Sequence, residues 1–179
     1  SEKEDVERVV ERVKREADEL LKENHKSVKD VDERVKETVE RNHRSVRKAE
    51  EDVKRVERED KRLKELVEEL RRRLKELNDR SKKLSRESAE RLKKLNKESE
   101  EVIREVKRRA EEIVEMVKRG DVEVREVAKE LEDIVRRIKE LVERSNRELK
   151  KIVEDNERVV EESDRRIKEI LERITEASR

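Results

Sequence analysis

The sequence predicts an all-α fold, an antiparallel up-down-up three-helix bundle with coiled-coil-like packing and straight helices, and three observations carry that prediction. Of 179 residues, 59% are Asp, Glu, Lys or Arg, 30% are hydrophobic, and none is aromatic or proline, whereas ordinary globular chains are about one quarter charged. The apolar residues recur in steps of three and four, the spacing of one helical face. Capping chemistry divides the chain at two places into three nearly equal segments, expected as helices at about 2–58, 61–118 and 122–178 of one helical-bundle domain covering 1–179.

The first segment carries its stripe through Val6, Val10, Val13, Ala17, Leu20, Val28, Val35, Val39, Val46 and Val53. Valine is β-branched and lowers helix propensity slightly, so packing has to supply the difference. Asp60, in Arg58-Glu59-Asp60-Lys61, is a candidate N-cap, and there the apolar usage changes from Val to Leu. The competing reading is a helix unbroken from near Glu2 to Arg119, which would place the stripes in an extended oligomer. The second segment continues through Leu63, Leu70, Leu77, Leu84, Leu92, Val106 and Ile113. Its end is marked by Lys118-Arg119-Gly120-Asp121: bases suit the negative helix terminus, Gly120 can adopt the left-handed C′ conformation, and Asp121 can cap the next helix. The third segment uses Val127, Leu131, Ile134, Ile138, Leu141, Leu149, Ile152 and Ile170. Each helix would be about 86 Å long at 1.5 Å per residue. Pairs such as Glu68 with Arg72, Glu69 with Arg73, Glu132 with Arg136 and Asp133 with Arg137 have the favourable i,i+4 orientation, worth about 0.2–0.5 kcal/mol each.

A repeat runs through all three segments. Asn24-His25-Lys26-Ser27-Val28 returns eighteen residues later as Asn42-His43-Arg44-Ser45-Val46; Asn78 and Ser81 return as Asn96 and Ser99; Ser145 and Asn146 return as Ser163 and Asp164. Eighteen residues make five helical turns, so each pair shares a face. Counted from one end of an up-down-up bundle, the polar residues fall into two layers. One comprises Asn24, His25, Asn96, Ser99, Ser145 and Asn146, the other Asn42, His43, Asn78, Ser81, Ser163 and Asp164. Buried without partners, such groups cost a few kcal/mol, so they are expected to hydrogen-bond across the helices. A third polar group, Thr38, Ser85, Ser88 and Asn156, falls between them. Polar layers weaken the core but reject shifted registers, which would face donors and acceptors with hydrocarbon.

Acid and base are intermixed and the formal net charge is +1, so neither nucleic acid nor a membrane surface is an expected partner. The absence of cysteine removes disulfides and thiolate metal sites. No signal peptide or transmembrane run is visible, a soluble chain is expected, and localisation stays open.

With these residues in hand, the chain resembles de novo designed helical bundles containing buried hydrogen-bond networks, across its whole length. The features that carry the resemblance are ideal helices, the Gly120-Asp121 loop, the duplicated Asn/His/Ser layers, and the lack of Gln, Pro, Cys, Phe, Tyr and Trp. The spectrin repeat is the natural runner-up, but its buried Trp has no counterpart. The resemblance implies a structural purpose such as a scaffold or conformational switch, production by recombinant cytoplasmic expression, and no substrate.

His25 and His43 sit five turns apart with only Asn or Ser as companions, a poor transition-metal set. His43, Ser163 or Ser81, and Asp164 name the members of a nucleophilic triad, but no loop forms a cleft or oxyanion site. No catalytic, cofactor-binding or metal residue is therefore expected, and no cofactor. A pH-responsive switch is the stronger alternative, since neutral histidines held in a core would have to gain charge in acid and would destabilise the bundle. The remaining alternative is a homo-oligomer, or a module that takes up designed partner helices; otherwise the expected state is a monomer requiring no partner.

Overall fold

A computed structural model describes residues 1–179. It contains three long helices, α1 (Glu2–Glu59), α2 (Lys64–Arg119) and α3 (Val124–Ala177), with a 3₁₀ turn at Lys61–Leu63 and no strand. All three helix pairs pack together, the arrangement of a three-helix bundle.

The break at Asp60 is real, although no glycine marks it. Asp60 is extended (φ −141°, ψ 101°) and its carboxylate accepts a hydrogen bond from the Arg62 amide at 3.0 Å. Its own amide still bonds back to Val56 at 2.9 Å, so α1 is closed by the residue that opens the next turn. The Arg62 guanidinium and amide hold the Asp60 carboxyl below the usual carboxylate range. At the other end of α2, Gly120 has φ +76°, Gly120 N–H bonds to Val117 and Asp121 N–H to Met116, both at 3.1 Å. That pair of bonds is a Schellman closure, which requires the left-handed residue that glycine supplies. Asp121 does not cap α3. The Glu126 and Val127 amides in the first turn of α3 bond to the Glu123 carbonyl, so α3 starts at Val124, later than expected.

Cα packing divides the chain into two compact units: Ser1–Asp30 with Leu92–Lys150, and Val31–Arg91 with Lys151–Arg179. The core of unit 1 sets Val10, Val13 and Ala17 of α1 against Val106, Ala110 and Ile113 of α2 and Val127, Ile134 and Ile138 of α3. In unit 2, Val46, Ala49 and Val53 meet Val67, Leu70 and Leu74, with Ile167 and Ile170 closing the third side. The small Val and Ala side chains of α1 share their cores with larger residues, Ile113, Ile134 and Ile138 in unit 1 and Leu70, Leu74, Ile167 and Ile170 in unit 2; burying a Val, Leu or Ile side chain contributes about 1.5–3 kcal/mol. On the surface, Arg73 pairs with Glu69 as the sequence suggests, at 2.9 Å. Arg136 instead takes Asp133, and Arg137 reaches across to Glu105 of α2. No helix is long and apolar enough to cross a membrane.

Candidate functional site

The polar residues that come together are two clusters of the same composition, one in each unit. In unit 1, Asn24 of α1 donates from Nδ2 to Ser99 Oγ of α2 at 3.1 Å, and Ser145 of α3 donates from Oγ to Asn24 Oδ1. In unit 2, Asn42 donates to Ser81 and accepts from Ser163 at 2.7 Å. One carboxamide thus joins three helices in each unit, because it offers a donor and an acceptor on opposite sides while each serine needs only one of them. Ser81, Ser99, Ser145, Ser163 and Asn42 are all buried; Asn24 is half-buried.

The other members of the expected layers lie elsewhere. Asn146 and Asp164 are exposed rather than buried, since each follows a buried serine and a one-residue step turns a side chain about 100° around the helix. The same step separates His25 from Asn24 and His43 from Asn42. Both histidines are half-buried and neither joins a cluster. The His25 side chain is 40% exposed, and its Nε2 stands 3.1 Å from the Glu100 carboxylate. Asn78 and Asn96 are half-buried, and the Asn96 Oδ1 is shielded from solvent without a hydrogen-bond partner. They sit one turn from Ser81 and Ser99, which occupy the positions facing α1 and leave the longer amides at the rim. In the intermediate group, Thr38, Ser88 and Asn156 are buried. Thr38 returns its hydroxyl to the Arg34 carbonyl at 2.9 Å, and the Asn156 Nδ2 is unpaired.

The surroundings of the two clusters differ in charge. Around Asn42 a groove is lined by Thr38, Arg41, Glu157 and Asp164; partial desolvation pushes the Asp164 carboxyl upward, with Arg41 opposing and Glu161 adding to the rise. Around Asn24 the lining includes Leu20, Leu21, Ile103, Leu141 and Val142 with the neutral Ser27 and Asn146, and Glu23 is its one charged residue. Ion pairs cross between helices outside both, including Arg109 with Glu130 at 2.7 Å and Arg173 with Glu69 at 3.2 Å. No group of three or more His, Cys, Asp or Glu side chains is placed to hold a metal ion. What the arrangement can do chemically is hold helices at fixed height. A net contribution of about 0.5–1.5 kcal/mol per neutral hydrogen bond is modest, but leaving the same group buried and unpaired costs about 1–3 kcal/mol.

Comparison with protein-family models, with curated proteins and with solved structures returned no match to this chain.

Proposed function

We propose that this chain is a designed structural scaffold: a monomeric helical bundle that acts on no substrate and whose helix registration is set by two Asn–Ser–Ser clusters. The observation that carries the reading is recurrence. The same three residue types, with the same donor and acceptor assignment, join α1, α2 and α3 in each unit, at positions offset by five turns on every helix. A slip of one turn would set Asn42 against Leu or Val, and the unpaired amide would then cost more than the slip could gain. The turn at Asp60 supports a chain whose stripes are used internally, and sedimentation equilibrium should return the mass of one chain, 21.7 kDa.

The test is to replace a whole cluster by apolar residues: Asn42→Leu, Ser81→Ala and Ser163→Ala together. Removing every partner leaves no orphan, so the triple variant should melt at or above the parent temperature. Its amide NMR spectrum should nevertheless show more than one set of resonances for residues 31–91, reporting alternative packings. A single sharp set at unchanged stability would show that the cluster does not define the register.

The pH-responsive reading needs neutral histidines held in the core, whereas His25 and His43 are only half-buried and His25 stands beside the Glu100 carboxylate. The His25 and Glu100 side chains are about half exposed, 40% and 45%, and pairs of that kind are worth at most about 1 kcal/mol. That is too little to switch a bundle of this size, which favours the scaffold.

A further inference from the structure

Unit 1 contains a cavity of about 230 Å³ that opens onto the Asn24 cluster. Leu20, Ile103, Leu141 and Val142 form its apolar walls, while Asn24, Ser99 and Ser145 present polar atoms to it. Within the cluster Ser99 only accepts and Ser145 only donates. The Ser99 hydroxyl proton and the Ser145 lone pairs therefore remain available to a guest. The one charged residue at the rim, Glu23, is exposed, so nothing inside compensates a buried charge and a charged guest is disfavoured. An apolar cavity of about 150 Å³ holds benzene, so this one has room for roughly nine non-hydrogen atoms.

We propose that this cavity is a binding site for a small neutral amphiphile, a phenol or short alcohol, whose hydroxyl joins the Asn24–Ser99–Ser145 cluster while its body lies against Leu20, Ile103 and Leu141. The chemistry is that of an apolar pocket with a few convergent polar groups. Unit 2 supplies the internal control. Its groove at Asn42 is lined by Thr38, Arg41, Glu157, Glu161 and Asp164, and an apolar body there would desolvate charge.

The probe is p-cresol, titrated into the full chain at neutral pH and followed by NMR. Because the chain has no aromatic residue, the fluorescence of the phenol gives a second readout free of protein background. The expected result is saturable binding, with shifts confined to the Leu20, Ile103 and Leu141 methyl groups and the Asn24 side-chain amide. Toluene, which lacks the hydroxyl, should bind about tenfold more weakly. Ser27→Leu, which puts a larger side chain into the cavity wall without replacing a cluster residue, should reduce affinity at least tenfold at unchanged circular dichroism. The proposal is overturned by failure to saturate, by equal shifts at Thr38 and Asn42, by toluene binding as well as p-cresol, or by undiminished binding in a folded cavity-filling variant.

Discussion

The Asn24 and Asn42 clusters have the same three residue types and the same bonding pattern, yet Asn42 is buried, at 1% exposure, beside a groove lined by charge, while Asn24 is half-buried beside a largely apolar cavity. The difference arises within one turn of each cluster, in residues that hydrogen-bond to neither cluster. Leu20 beside Asn24 corresponds to Thr38 beside Asn42, Glu23 to Arg41, Ile103 to Ser85 and Asn146 to Asp164. Equivalent hydrogen bonds therefore do not make equivalent sites: the network sets which helices are joined, and the neighbouring turn sets whether water, charge or hydrocarbon meets it.

The largest expected effect tests that distinction directly. Asn42→Ala removes a buried amide and leaves Ser81 and Ser163 without partners, which should cost about 2–3 kcal/mol, whereas Asn24→Ala, at a half-buried position beside a cavity with room for water, should cost about 1 kcal/mol or less. Urea denaturation of both variants measures the gap, and equal losses would erase the comparison.

Acid should also separate the units. In unit 2, Arg173 holds the Glu69 carboxyl below its ordinary range, and Arg80 does the same for Glu162. Carboxyls lowered on folding contribute stability that is complete above the ordinary value of 4.5 and is lost as the pH falls through the lower folded value. Asp164 works in the opposite sense, because its raised carboxyl favours the folded state once protonated, so it offsets part of the loss. Hydrogen exchange compared at pH 7 and pH 3 should show the larger drop in protection in unit 2.

A smaller effect belongs to the turn of unit 1. A Cβ on Gly120 would meet nothing within 4 Å, but its φ is +76°, so Gly120→Ala should cost about 1 kcal/mol through backbone strain alone. Thermal melting would read this as a lowered midpoint with unchanged cooperativity. Smallest of all, His25→Asn should shift stability by less than about 0.5 kcal/mol at both pH 8 and pH 5, since the side chain is 40% exposed and its shielded Nε2 has no hydrogen bond to lose. A larger acid-dependent change in denaturation midpoint would revive a role for the histidines.

The fold was legible because its signals are one-dimensional. Step spacing gives helices, Gly120 gives a left-handed stop, and Asp60 gives a cap that works without glycine. Asn24, Asn42 and the four serines were legible as layer members because a five-turn offset preserves height. Angular position around the helix was not legible to the same degree. Asn24 and His25 are neighbours in the repeat, and only the packing of α2 and α3 decides which of the two is turned inward. The same holds for Ser145 against Asn146 and Ser163 against Asp164. The cap of α3 shows the same limit of a one-dimensional reading: the chain runs on three residues past Gly120 before α3 opens at Val124, so Asp121 stands too early to be its N-cap.

The five-turn offset makes each helix a ruler with two identical marks. A helix displaced by one full offset sets one mark against the other, so hydrogen bonding rejects intermediate displacements but is indifferent to that one. Selection between the two falls to chain connectivity. The loop from Gly120 to Glu123 links the end of α2 at Arg119 to the start of α3 at Val124 and spans at most about 18 Å when extended, short of the roughly 27 Å that five turns require. Cutting that loop would free α3 to pair with a stagger of one offset, and the overhanging mark on each fragment would then be open to the next, the start of an open-ended polymer.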